Sequence, residues 1–247
     1  MKIKKTASLI LPTFNEKDNI VPLVLKCREV LSASTAEFEI LVVDDDSPDR
    51  TWEVAAGLRQ TVPELRIIHR IENHGLTASL REGIGLCRYD VIIWMDADFS
   101  HPPEKILQML FMLDEGFDIC VNSRYVVGGG EDRVGKGNVL QMSLSLMLNW
   151  LIRFVLFTSF ADYTSGFVAV RREVFKKLIL RGDYGEYFIS FVFDALSHGY
   201  KVCELPYFCM PRRCGESKTG GNLLDYFKRG RKYIFTTFRC RWGALGR

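Results

Sequence analysis

The chain has 247 residues, 47% hydrophobic and 26% charged, with a net charge of +3; these are ordinary globular values that exclude wholesale disorder and fibrous classes. Its length suits one α/β domain with a single substantial core. The charge is uneven: residues 212–247 hold ten Lys or Arg against Glu216 and Asp225, a balance of +8 that leaves −5 for the rest, so the C-terminal end favours an anionic surface or phosphate.

The basic start, Met1-Lys2-Ile3-Lys4-Lys5, runs into an apolar stretch interrupted by Pro12, Asn15 and Glu16 without a small-residue cleavage site, so no signal peptide is expected. Apolar runs bounded by turn residues predict strands over 7–11, 38–43, 65–69, 90–95 and 118–122, and helical spacing predicts helices over 17–34, 49–60, 76–88 and 104–115. Strict alternation of strand and helix implies right-handed crossovers and a mostly parallel sheet. A glycine-rich loop over 128–137, expected to be mobile, comes next. An apolar helix over 139–157, a strand over 166–170, helices over 173–180 and 187–198 and a strand over 201–209 complete the body. Residues 139–160 carry little charge, but Arg153, Gln141, Ser143, Ser145 and Asn149 interrupt them, short of a membrane span.

From Tyr226 to Trp242 six basic residues interleave with six aromatics, which suits an anionic lipid interface and, by charge alone, nucleic acid. Seven cysteines without a C-x-x-C pair read as reduced core residues of a cytosolic protein.

The richest segment is Val91-Ile92-Ile93-Trp94-Met95-Asp96-Ala97-Asp98: a buried strand delivering two carboxylates at its carboxyl end, where open α/β sheets bind ligands. Neighbouring carboxylates repel and lose solvation. A hard divalent ion bridging to a phosphorylated substrate relieves both. The competing reading, that they cap the next helix, is weakened because Pro102, Pro103 and Glu104 already supply a helix start. Acidic or polar clusters at Pro12-Thr13-Phe14-Asn15-Glu16 and Asp44-Asp45-Asp46-Ser47 end two earlier strands. No G-x-G-x-x-G or G-K-[ST] turn follows the first strand, so neither a dinucleotide fold nor a P-loop enzyme is supported. Asp44 is placed to accept hydrogen bonds from a base or ribose; Asp46 and Asp49 read as a solvated turn, and His101 as a capping or packing residue.

These segments, with Arg70 and Asn73-His74-Gly75-Leu76, His101-Pro102, Ser123-Arg124-Tyr125, Asp162-Tyr163-Thr164-Ser165-Gly166-Phe167 and Gly215-Glu216-Ser217-Lys218, resemble the dolichol-phosphate mannose synthase branch of the family-2 glycosyltransferases over residues 6–238. The resemblance implies a GT-A (Rossmann-like) α/β fold, with residues 1–211 as the transferase body and 212–247 as a basic acceptor-loop and membrane-interface tail of the same domain. It implies an inverting transfer of mannose from GDP-mannose to a polyprenyl phosphate, with Mg2+ or Mn2+. The protein would sit peripherally on the cytoplasmic face of a membrane, directly or through a small anchoring partner, with no nucleic acid. Pro12, Phe14, Glu16, Val42 and Asp44 would contact the nucleoside, Asp96, Ala97 and Asp98 the metal and diphosphate, and Arg124, Arg212 and Lys218 the phosphates.

Displacing a nucleoside diphosphate requires its charge to be neutralised, and a phosphate nucleophile needs orientation by cations but no general base. A hydroxyl acceptor would need a carboxylate base, for which Glu186 or Asp162 is the candidate. Gly185-Glu186-Tyr187-Phe188-Ile189-Ser190 stands where relatives often carry Gln-x-Glu and Val168 where they carry Arg, which keeps open a transferase acting on a polysaccharide or lipid-linked sugar hydroxyl, for example from a UDP-sugar. Asp96-Ala97-Asp98-Phe99-Ser100 also resembles the nucleophile loop of haloacid-dehalogenase phosphatases, but that loop follows the first strand of its domain and here three strands precede it.

Overall fold

The structure, a computed structural model, describes residues 6–35, 37–132, 139–215 and 223–245. Its first half alternates as the apolar runs predict: β1 (Ala7–Thr13), α1 (Lys17–Ser34), β2 (Phe38–Asp44), α2 (Thr51–Ala56), β3 (Leu65–His69), α3 (Leu76–Leu86), β4 (Val91–Trp94), α4 (Lys105–Asp114) and β5 (Ile119–Ser123). Then come β6 (Gly130–Glu131), α5 (Val139–Val155), β7 (Val168–Arg171), a 3-10 turn (Arg172–Lys176), α6 (Tyr187–Ser197), β8 (Val202–Pro206), β9 (Phe208–Cys209) and α7 (Leu223–Leu245).

Seven strands form one sheet in the order β3-β2-β1-β4-β7-β5-β8. All neighbours are parallel except β7, which is antiparallel to both β4 and β5. The chain winds outward from β1 to β3 and returns to β4 on the other side of β1. That reversal opens a crevice at the carboxyl ends of β1, β2 and β4, the usual ligand position in such sheets. Alternate strand residues feed two cores, as a period of two demands. Leu9, Leu11, Val42 and Ile93 pack with Ile20, Leu23 and Ile106 of α1 and α4; Ile10, Leu41, Val43 and Ile92 pack with Leu80, Ile152, Phe188 and Phe191 of α3, α5 and α6.

Several boundaries differ from the sequence expectation for local reasons. α2 starts at Thr51 rather than at 49 because Arg50 takes a left-handed φ of 63°, with Asp49 accepting the Thr51 N–H at 3.0 Å, and it gives way to turns after Ala56. The strand over 201–209 breaks after Pro206, and Phe208–Cys209 pairs with Gly130–Glu131 in a separate two-stranded sheet. The helix expected over 173–180 is a single 3-10 turn. The basic, aromatic tail is the long helix α7, packed on α5 and α6.

Candidate active site

β4 ends at Trp94, and the next four residues place the two acids. Asp96 is half open to the crevice, while Asp98 is mostly buried. Neither caps α4, whose N-terminus makes no side-chain cap. Asp98 Oδ1 instead accepts the Ser100 N–H at 2.9 Å, and Phe99 between them adopts a φ of 66°. Crevice walls strip water from Asp96, and with Asp98 beside it its carboxyl rises above the ordinary value. Asp98 is desolvated too, but the Ser100 hydrogen bonds and the charges of His101 and Arg212 outweigh this and hold it below. Two carboxylates one residue apart are thus driven in opposite directions, a mark of functional sites.

His101 packs as expected. Its ring stacks on Phe167 at 5.1 Å and its Nδ1 accepts the Asp96 N–H at 3.0 Å, which directs Nε2 toward Asp96 Oδ2, 3.9 Å away. Burial lowers its pKa.

Arg212 comes from the segment after β9. Its Nη2 lies 3.1 Å from Asp98 Oδ2 and 3.0 Å from Glu16 Oε1, and Asn19 Nδ2 donates to Glu16 Oε2 at 2.8 Å. The segment is strapped to the Asp98 turn by two backbone bonds, Met210 N–H to Ser100 C=O and Arg213 N–H to Asp98 C=O, both 3.0 Å. The Arg213 guanidinium lies over the Phe99 ring, 5.2 Å from its centroid. Glu16, Asp98 and Arg212, chosen separately in the sequence, therefore form one cluster.

Arg124 follows β5 immediately. Its Nε and Nη2 make a bidentate pair with Asp162 at 2.9 and 2.8 Å, Nη2 also donates to Thr164 Oγ1 at 2.7 Å, and Nη1 lies 3.6 Å from Glu131. Asp162 is fully buried and the Arg124 side chain is 9% exposed. Although burial alone would raise it, the guanidinium holds the Asp162 carboxyl below its ordinary value.

At the outer end of the crevice Asp44 is fully buried, accepting from Thr13 Oγ1 at 2.8 Å, Ser47 Oγ at 2.7 Å and Ser47 N–H at 2.9 Å. Asp45 accepts from Arg70, Ser79 Oγ and Gly75 N–H. Asp46 pairs with His69, whose ring stacks on Trp52. Phe14 is exposed, Ala97 is buried, and Val42 lies wholly within the core. A cavity of about 230 Å³ is lined by Pro12, Asp96, Ser100 and Arg124 together with Trp94, Tyr187 and Tyr233. Lys218 lies outside the described residues.

Glycosyl transferase family 2 matches residues 8–179. This chain belongs to that family. It is 35% identical over 246 residues to a polyprenol monophosphomannose synthase of Mycolicibacterium smegmatis, a match covering 97% of this chain and 87% of the relative. It is 34% identical over 231 residues to a dolichol-phosphate mannosyltransferase of Pyrococcus furiosus, covering 90% of this chain but 61% of that longer protein. Among solved structures, a Mycobacterium tuberculosis glucosyl-3-phosphoglycerate synthase, with Mn2+, UDP and glucosyl-3-phosphoglycerate, superposes with a TM-score of 0.69 at 18% identity over 97% of this chain and 80% of that one. A Rubrobacter xylanophilus mannosyl-3-phosphoglycerate synthase gives 0.69 at 17%, over 97% and 75%. The fold of this family-2 glycosyltransferase is therefore GT-A, in one domain.

Sequence reasoning did not pair Arg124 with Asp162, nor did it find Glu204, whose carboxylate accepts the N–H groups of Ala161 and Asp162 at 2.7 and 3.0 Å. The motif containing Asp162 was visible; its partners are 38 and 42 positions away, beyond the reach of any local pattern.

Proposed function

We propose that this glycosyltransferase moves mannose from GDP-mannose to the phosphate of a polyprenyl phosphate with inversion. The anomeric carbon exchanges its bond to the donor diphosphate for one to an acceptor phosphate oxygen, and GDP leaves. What carries this reading over a hydroxyl acceptor is the state of Asp162. A hydroxyl nucleophile needs a base, and Asp162 is fully buried and bound at both oxygens by Arg124 and Thr164. Glu186 is buried and, among the described residues, bonded only through Oε1, to the Asp183 N–H at 3.1 Å, but it does not line the cavity. An anionic phosphate needs only cations to orient it, and Arg124 and Arg212 stand at the crevice with Lys218 as the third expected member.

Asp96 and Asp98 offer hard carboxylate oxygens that fit Mg2+ or Mn2+, with phosphate and water completing the shell. The half-open Asp96 carboxylate, raised by desolvation and by its neighbour, is the kind of group a cation relieves. Such an ion would neutralise charge on the leaving diphosphate. The chain's own residues do the rest: Arg212 bridges Glu16 and Asp98 so that the β1 and β4 ends stay together, and Arg124 presents a fixed guanidinium at the cavity.

The same reading puts the enzyme on a membrane surface. No helix among the described residues is long and apolar enough to cross a membrane, but α5 and α7 pack together and expose Trp150, Phe154, Phe235 and Trp242.

The test is transfer of labelled mannose from GDP-mannose to polyprenyl phosphate, with UDP-glucose and UDP-N-acetylglucosamine as competing donors and Mg2+ or Mn2+ against chelator. Label should enter the lipid fraction from GDP-mannose and only with metal. Transfer to a neutral sugar acceptor in preference to the lipid phosphate would reverse the acceptor assignment.

A further inference from the structure

The segment between α5 and β7 that carries Asp162 has no helix or strand of its own, yet its backbone is held on both sides by two side chains from different elements. Asn149, buried on α5, donates from Nδ2 to the Ala161 carbonyl at 2.6 Å and accepts the Tyr163 N–H on Oδ1 at 2.9 Å. Glu204, on the edge strand β8, accepts the Ala161 N–H on Oε2 at 2.7 Å and the Asp162 N–H on Oε1 at 3.0 Å. Four of the five backbone groups from the Ala161 N–H to the Tyr163 N–H thus find partners in two residues.

Asp162 passes that constraint on. Its oxygens accept Arg124 N–H, Nε and Nη2 at 3.1, 2.9 and 2.8 Å, and the Thr164 N–H and hydroxyl at 3.1 Å each. A bidentate carboxylate–guanidinium pair is planar, so a tilt of the carboxylate rotates the guanidinium with it. The third nitrogen, Nη1, takes the direction this leaves, 3.6 Å from Glu131 Oε2.

We propose that Asn149 and Glu204 are positioning residues for Arg124, acting through Asp162 to aim its guanidinium at the acceptor phosphate. The inference rests on the reading above that Arg124 meets that phosphate. It explains why a solvent-shy amide and carboxylate are spent on an irregular segment. It also gives α5 a second task, since Asn149 points inward beside the outward-facing Trp150.

The experiment is steady-state kinetics with both substrates varied, GDP-mannose against polyprenyl phosphate in detergent, on Asn149→Ala, Glu204→Gln and Arg124→Lys and on each clamp variant combined with Arg124→Lys. Asn149→Ala removes both contacts; Glu204→Gln keeps one acceptor oxygen and sets an amide NH2 against a backbone N–H. Each should raise the acceptor KM roughly tenfold, the lower end of the cost when the outer-shell partner of a metal ligand is removed, with the donor KM unchanged. In the Arg124→Lys background neither should add a further change, because interacting residues are non-additive. Should Glu204→Gln not fold, Asn149→Asp serves: it retains the acceptor for Tyr163 but sets a carboxylate oxygen against the Ala161 carbonyl, and should raise the acceptor KM at least as far as Asn149→Ala.

Equal rises in both KM values, or full additivity with Arg124→Lys, would reduce the clamp to loop stability and overturn the inference. An acceptor KM that responds to Arg124→Lys but not to the clamp variants also overturns it, leaving the Arg124 reading intact. An acceptor KM indifferent to Arg124→Lys removes that reading and the clamp's role with it.

Discussion

Asp162 and Asp96 are both acids beside the same crevice, and their surroundings assign them opposite work. Asp162 is desolvated but doubly bonded to Arg124, and its carboxyl is held down; Asp96 is desolvated beside another acid, and its carboxyl rises. Breaking a buried pair by removing one charge costs about 3 to 5 kcal/mol, so Asp162→Asn should destabilise the fold by that order in urea unfolding at neutral pH. The sign of its pH dependence follows from the lowered value. Asp162's contribution is full above the unfolded carboxylate pKa of about 3.9 and is lost as pH falls through the lower folded value, so the gap between wild type and Asp162→Asn should close only in strong acid. A gap that closes near pH 6 would mean another group holds Arg124. Asp98→Ala, by contrast, should abolish transfer and the metal-dependent thermal shift on adding GDP-mannose, while the fold persists with Arg212 still paired to Glu16. Undiminished turnover in Asp98→Ala would end the metal reading.

Elements were legible where local pattern and tertiary setting agree. The five strands of the first half are apolar runs because helices cover both faces of their sheet. The direction of β7 was not legible: alternation of strand and helix speaks for parallel pairing, and β7 runs the other way because the chain reaches it from α5 and inserts between β4 and β5. Pro206 divides the last apolar run, since a proline offers no N–H to extend a ladder. In the site, Asp96 and Asp98 were legible because their chemistry lies within one strand end, whereas the Glu204 and Asn149 contacts depend on how distant elements meet. The seat of α7 shows the same dependence. A Cβ on Gly185 would overlap the Tyr233 hydroxyl oxygen, and Lys232 of α7 pairs with Asp183 at 2.8 Å. Overpacking of this kind costs about 1 to 3 kcal/mol, so Gly185→Ala should lower the melting temperature, and Tyr233→Phe, which deletes the offending oxygen, should restore part of the loss. If the two changes destabilise independently, α7 is not seated on Gly185.

At the scale of the whole molecule, the uneven charge and the exposed aromatics concern the same helices. On α7, Arg231, Phe235, Arg239 and Trp242 recur at spacings of four, four and three, which is one helical face. On α5, Met147, Trp150 and Phe154 do likewise, with Trp150 and Phe154 64% and 70% exposed and their rings stacked at 5.8 Å. Phe235 and Trp242 are 66% and 67% exposed. Each cation near an anionic leaflet contributes about 1 kcal/mol, and salt screens it. Burying an aromatic side chain contributes about 1.5 to 3 kcal/mol, and salt does not remove it. With four such rings and Arg231, Arg239 and Arg241 exposed beside them, the apolar share is the larger. Flotation with anionic vesicles should therefore be reduced by high salt without being abolished, and Trp150→Ser with Phe154→Ser should roughly halve the salt-resistant part, leaving the share of Phe235 and Trp242, while transfer to a short, detergent-free acceptor phosphate stays intact. A protein that fails to float at any salt concentration, and transfers equally well to water-soluble acceptors, would remove the membrane surface from the mechanism and leave these helices needing another partner.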